Sequence, residues 1–197
     1  MFIQIIQGRC TRQDEMRATA TRWPTEIGPT AMGWLGGTFG FTDDDVFLGV
    51  VRFESKELAM ANSERPEQAV WWAEMEKLFD GPVEFHDCSD VTVLLDGGSD
   101  DAGFVQVIRG RTDDPDALRS MMQDTDMLPE ARPDLVGATL AIEDDGTFTQ
   151  TIAFTDEASA RAGEAQEMPV EVREPLESAM KDARYFDLHH PWFASPS

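Results

Sequence analysis

Phe2-Ile3-Gln4-Ile5-Ile6-Gln7-Gly8-Arg9 returns 102 residues later as Phe104-Val105-Gln106-Val107-Ile108-Arg109-Gly110-Arg111. The copies share their length, their apolar pattern, a glutamine at the third place and a glycine–arginine ending. Each then runs through a turn into a matching helix start, Asp14-Glu15-Met16-Arg17 and Asp116-Ala117-Leu118-Arg119. A repeat at about half the chain length means two copies of one structural unit. As a strand, the first copy puts Phe2, Gln4 and Ile6 on one face and Ile3, Ile5 and Gln7 on the other. Both faces are mainly apolar, so the strand is expected to be buried on both sides.

Outward from these strands the two halves keep step. Thr11 is placed to cap a helix over Arg12 to Trp23, stopped by Pro24. In the second half Asp114 caps, Pro115 takes the first helical position and Pro129 follows the end. The glycine-rich run Ala31 to Phe41 turns at Thr42-Asp43-Asp44-Asp45 into Val46 to Phe53. Its counterpart is Val136 to Ile142, a turn at Glu143-Asp144-Asp145-Gly146, then Thr147 to Phe154. Second helices open at Ser55-Lys56-Glu57 and Thr155-Asp156-Glu157, with interruptions at Pro66 and Pro169. Final strands are expected over Val83 to about Leu95 and Arg184 to His189.

The order is strand–helix–strand–strand–helix–strand twice, which builds an α+β fold of two tandem ferredoxin-like (βαββαβ) repeats. The repeats span 1–95 and 103–197, joined by a small, polar linker at 96–102. Burial of both sheet faces calls for sheet-to-sheet packing with helices outside. The expected product is one pseudo-dimeric α+β barrel.

Composition narrows the partners. A net charge of −22 on 197 residues disfavours nucleic acid and anionic membranes, since no basic patch offsets it. No apolar run approaches the ~20 residues of a membrane span, and Met1-Phe2-Ile3 enters the first strand without a leader pattern. Two cysteines, Cys10 and Cys88, make no disulfide framework. A reduced, cytoplasmic protein is expected.

The repeated Phe2–Arg9 and Phe104–Arg111 strands, with Phe53-Glu54-Ser55-Lys56-Glu57-Leu58-Ala59-Met60-Ala61-Asn62, resemble the dimeric α+β barrel superfamily. That group includes antibiotic-biosynthesis-type monooxygenases, haem-degrading monooxygenases, muconolactone isomerase and stress-responsive barrel proteins. The stretch Asn62 to Gln68, through Trp71-Trp72 to Phe85-His86-Asp87-Cys88-Ser89-Asp90, is similar to tandem-domain actinobacterial proteins. The resemblance implies a small-molecule-binding barrel, either a cofactor-independent monooxygenase-type enzyme or a non-catalytic carrier or stress-responsive scaffold. Its haem-degrading members use a histidine on the second helix. Here the histidines are His86, His189 and His190, on or after final strands, so haem degradation is not expected.

Gln4 and Gln106 are the leading site candidates, polar groups on apolar strand faces that would look into one barrel cavity with Phe2, Ile6, Phe104 and Ile108. The other reading is that each amide satisfies neighbouring backbone or water. Arg9 and Arg111 either clamp a ligand carboxylate or form structural ion pairs. Trp71 and Trp72, about 100° apart on a helix, put one ring in the core and one at an edge or pocket mouth. His86 and Cys88 share one strand face with Asp87 on the other, too few ligands for a metal. His189-His190 near the C-terminus carries no metal motif. No cofactor or metal is expected, the expected ligand is a small apolar or aromatic molecule, and the chain acts as a monomeric pseudo-dimer or a homodimer. An interaction module anchored on Trp72 is a third reading.

Overall fold

The structure, a computed structural model, describes residues 1–98, 100–123, 132–166 and 183–196. The first half comprises β1 (Phe2–Arg9), α1 (Gln13–Glu26), β2 (Trp34–Phe41), β3 (Val46–Phe53), α2 (Lys56–Ser63), α3 (Pro66–Met75) and β4 (Glu84–Cys88). The second comprises β5 (Asp90–Leu94), β6 (Phe104–Arg111), α4 (Pro115–Gln123), β7 (Leu135–Ile142), β8 (Thr147–Phe154), α5 (Glu157–Glu164) and β9 (Arg184–Leu188). A short β10 (Trp192–Ala194) ends the chain. The strands form two antiparallel sheets, ordered β10-β2-β3-β1-β4 and β5-β7-β8-β6-β9. The fold is thus α+β with two five-stranded antiparallel sheets. Among the described residues the strands do not close into one barrel.

Both repeated strands lie inside their sheets, flanked on each side. In β1, Gln4 faces Val51 of β3 and Asp87 of β4; in β6, Gln106 faces Ile152 of β8 and Asp187 of β9. This central place is why both faces of each strand are apolar. The hairpins fall where turn chemistry puts them, with Asp45 (φ 63°) and Gly146 (φ 85°) at equivalent left-handed positions. Aspartate tolerates that region better than most residues other than glycine, so the acidic turn of the first half does the work of Asp-Gly in the second.

Three expectations are corrected. First, α1 begins after Arg12 and runs through Pro24 to Glu26. Thr11 does not cap it; its backbone N–H donates to the Asp80 carboxylate at 2.6 Å. That bond holds the Asp80 carboxyl below its usual range. Second, the single strand over 83–95 is two strands broken at Ser89: β4 pairs with β1 of the first sheet, and β5 with β7 of the second. Third, the chain continues past His189 into β10, which pairs with β2 of the first sheet. The compact units are therefore Met1–Ser89 with Trp192–Ser197, and Asp90–Pro191. They differ from the sequence repeats because the repeats exchange their last short strands. Pro129 and Pro169 lie outside the described residues.

In the first unit, Phe2 and Ile6 face the helices. Ile6 joins Met16 and Ala20 of α1, Phe47, Met75 of α3 and Trp192 of β10 in one core cluster. Phe2 packs with Trp34, Phe53, Ala59 and Ala194 in another. The opposite sheet face carries Ile3, Ile5, Leu48, Val50 and Cys88, all buried. In the second unit Ile108, Leu118, Met122, Leu140 and Phe148 form the corresponding core. Among the described residues no helix is long and apolar enough to cross a membrane.

Candidate functional site

A cavity of about 340 Å³ lies within the first unit, between helices α1–α3 and the sheet face that carries Gln4 and Ile6. Its wall holds seven aromatic side chains: Trp23 of α1, Trp34 and Phe39 of β2, Phe53 of β3, Trp71 and Trp72 of α3, and Phe85 of β4. The rings brace one another. Trp23 meets Trp34 edge-on at 4.6 Å and Trp71 at 6.5 Å, and Trp72 meets Phe85 at 5.1 Å. Such edge contacts hold the wall in shape without ligand. Glycine clears the floor: a Cβ on Gly37 would stand 2.5 Å from the Phe39 ring, so glycine here lets that ring lie over the strand.

Pro66 shapes the helical side. The second helical segment ends at Ser63 and restarts at Pro66, whose missing N–H costs nothing at a first helical position. The break brings Asn62, Ser63, Gln68, Ala69, Trp71 and Trp72 to one cavity. Both tryptophans are half-buried, pack against the core cluster and line the cavity, so neither is a pure core residue or a pure edge residue.

The polar groups in this wall have their orientation set by neighbouring side chains. Arg65 Nη1 donates to Asn62 Oδ1 at 3.0 Å, and Trp23 Nε1 donates to Gln68 Oε1 at 2.7 Å. Guanidinium and indole only donate, so they fix which end of each amide is oxygen and leave the amide N–H groups as the spare valences. Gln4 is fixed the other way. Its Nε2 donates to Asp87 Oδ1 at 2.8 Å, which leaves the carbonyl oxygen as an acceptor. Trp71 Nε1 is buried with no hydrogen-bond partner among the described residues. The helix wall thus offers donors and the sheet wall an acceptor. Among the described residues no acidic, basic, histidine or cysteine side chain lines the cavity.

The residues singled out from sequence divide between settings. Gln4, Ile6 and Trp71 line this cavity; Phe2 packs in the adjoining core cluster. His86 lies opposite Ile5 in the register, on the sheet face away from Gln4, with Nε2 3.5 Å from the Glu84 carboxylate. Strand alternation takes it from the site. Gln106 and Phe104 belong to the second unit and are not among the residues that line this cavity. Gln106 Nε2 donates to Asp187 Oδ1 at 3.0 Å and Glu164 Oε1 at 3.2 Å. Arg9 is exposed at the end of β1, and Arg111 stands 3.8 Å from Asp145 at the surface. His189 Nδ1 lies 2.8 Å from Glu157, whose carboxyl this contact holds below its usual range. Cys10 is buried and its thiol is pushed up by that burial. Among the described residues no cluster of three ligating side chains could hold a metal.

Sequence reasoning missed Trp23, Trp34, Asn62 and Gln68. One signal was available: all five tryptophans fall in the first unit, with none between Trp72 and Trp192. That asymmetry in an otherwise repeated chain marks one unit as specialised.

No protein-family model matches the sequence, and a search of the curated proteins finds no match. Solved structures do match along the whole chain. A candidate monooxygenase from Lactobacillus acidophilus superimposes with a TM-score of 0.76 at 12% identity, covering 98% of this chain and 95% of its own. One from Fusobacterium nucleatum gives 0.78 at 7% identity, covering 98% and 94%. An anthrone oxidase-like protein gives 0.64 at 10% identity, covering 98% and 93%. At these identities the likeness is one of fold.

Proposed function

We propose that the chain binds a small, planar aromatic molecule in the first unit's cavity and acts on it as a monooxygenase-type enzyme. One observation carries the binding: seven aromatic side chains enclose about 340 Å³, with spare donors on the helix wall and a spare acceptor on Gln4. That volume is at the small end of ligand pockets, and apolar walls with a few oriented polar groups are how such pockets select. A ligand with a carbonyl or phenolic oxygen toward Asn62 and Gln68, and a hydroxyl toward Gln4, uses the spare valences of these three amides. Gln106, Phe104, Arg9, Arg111 and His86 take no part in this reading.

The reaction is supported by the fold shared with the candidate monooxygenases and the anthrone oxidase-like protein. In its cofactor-independent form a ring methylene is oxidised by dioxygen, and the products are a ring carbonyl and water. The two C–H bonds of the methylene and the O–O bond break; a C=O bond and the two O–H bonds of water form. One oxygen atom enters the substrate, the other leaves as water, and the substrate supplies all the electrons. A second reading, a non-catalytic carrier, is favoured by the lack of any acid–base side chain on the described wall. One chain carries a whole cavity, so neither reading requires a second copy.

The test is fluorescence titration with phenylnaphthylamine, a neutral aromatic probe, followed by oxygen uptake with anthrone. Ala69 lines the cavity from an exposed helix position, so Ala69→Trp narrows it without straining the core. The expected result is saturable probe binding weakened at least about tenfold by Ala69→Trp, a loss of about 1.4 kcal/mol. Equal affinity in the variant refutes the site. Probe binding without oxygen uptake leaves the carrier.

A further inference from the structure

Among the described residues, the second unit repeats the strand and helix that frame the cavity but not the residues that make it a site. From their matching N-caps, Ser55 and Asp156, α2 and α5 align residue for residue. Met60 corresponds to Arg161, Asn62 to Gly163 and Ser63 to Glu164. The amide that offers a donor in the first unit is therefore missing from the second. Where Ser63 lines the cavity, Glu164 accepts from Gln106 at 3.2 Å and from Arg161 at 3.1 Å.

Two guanidinium groups lie over the aromatic rings of this unit. Arg161 lies over the Phe104 ring at 5.1 Å and pairs with Asp187, with Glu157 at 3.3 Å and with Glu164. Arg132, at the place of Ala31, lies over the Phe154 ring at 5.4 Å and pairs with Asp134 at 2.8 Å. A side chain at Gly163 would collide with the Arg132 guanidinium, so that glycine is what admits it. Phe104 and Phe154 are the counterparts of Phe2 and Phe53. Gln106 is 5% exposed and bonded to two carboxylates, whereas Gln4 is half-buried and lines open space.

We infer that the chain is a one-site protein: the first unit takes the ligand, and in the second the Arg161–Arg132 carboxylate network fills the equivalent place. The inference rests on the cavity reading above, and it assigns the second unit a supporting role with charge in place of ligand. It also accounts for four of the five tryptophans of the first unit, Trp23, Trp34, Trp71 and Trp72, which line the cavity.

The experiment is stoichiometric titration of the full chain with phenylnaphthylamine, for the wild type, Ala69→Trp and Arg161→Met. The wild type is expected to bind one equivalent per chain, and Ala69→Trp to lose that binding. Arg161→Met is expected to lower the unfolding temperature while leaving probe affinity and stoichiometry unchanged, since Arg161 touches no ligand. Two equivalents in the wild type, with one surviving in Ala69→Trp, overturn the one-site inference and spare the cavity. Probe affinity falling several-fold in Arg161→Met also overturns it, by making Arg161 part of a ligand site. One equivalent retained at full affinity in Ala69→Trp refutes the cavity reading, and no binding in the wild type overturns both.

Discussion

Trp192→Ala tests whether a three-residue strand at the end of the chain closes the core of the first unit. Trp192 is 7% exposed and packs against Phe39 at 5.8 Å, Phe41 at 5.7 Å and Phe47 at 6.1 Å. The Arg17 guanidinium lies 5.0 Å above its ring. Removing a buried tryptophan costs about 3–5 kcal/mol in lost transfer and residual cavity, and the lost cation–π contact adds about 0.5–1 kcal/mol. One term opposes these. Trp192 Nε1 is buried without a partner among the described residues, and its removal returns about 1 kcal/mol. The expected net loss is about 3–4 kcal/mol. Urea unfolding followed by circular dichroism would then show a midpoint lowered by roughly 1–2 M, for a slope of about 2–3 kcal/mol/M. Trp192→Phe is the control, because it keeps an aromatic ring among the three phenylalanines and deletes the orphan N–H. It should cost clearly less than Trp192→Ala, because it deletes fewer buried atoms and leaves a smaller void. If Trp192→Ala shifts the midpoint by under about 0.5 M, β10 decorates the sheet and does not complete its core.

Two further outcomes follow from the hydrogen bonds. Asp156→Ala should cost about 1–2 kcal/mol and Ser55→Ala about 0.5–1 kcal/mol by chemical denaturation, since Asp156 accepts both the Ser159 N–H and hydroxyl at 2.8 Å while Ser55 accepts the Leu58 N–H at 3.3 Å. The Arg132 guanidinium holds the Asp134 carboxyl below its usual range, so the stability this pair contributes is fully present above the ordinary aspartate value of about 3.9 and is lost as pH falls through the depressed folded value. Unfolding temperatures from neutral pH downward should fall steeply below about pH 4 in the wild type and less steeply in Asp134→Asn, which starts lower at neutral pH; parallel acid limbs would refute the assignment.

The repeat, the hairpins and the helix interruption at Pro66 were legible because each is local. A strand reads from its alternation, a turn from Asp-Gly chemistry, and a restart from a proline that needs no N–H. Pro24 misled for a related reason. A proline in the last turn of a helix removes one bond near an end where few remain, and packing of Trp23 and Ala20 outweighs it. The break at Ser89 was not legible, because Glu84–Cys88 and Asp90–Leu94 are both strand-like and nothing between them states that they join different sheets. β10 was hidden by brevity. Three residues carry no periodicity, and Trp192 reads as a tail until its pairing with Phe39 is seen.

The site was legible in part, and the split is physical. Gln4 stood out because it sits on an apolar strand face and recurs as Gln106, but recurrence marks what the two units share. Shared here is the cross-strand pair: Gln4 with Asp87 and Gln106 with Asp187, each glutamine donating to the aspartate opposite it. That pair belongs to the scaffold, where a central strand meets the edge strand of its sheet. The features that separate a cavity from a filled core lie where the repeat fails, at Met60 against Arg161, Asn62 against Gly163 and Ser63 against Glu164. In this duplicated chain, then, the matched residues report chiefly the fold, and the mismatched residues on a matched backbone mark the candidate site that Gln4 also lines. A candidate site is better sought by aligning the halves and reading their differences than by reading what they repeat.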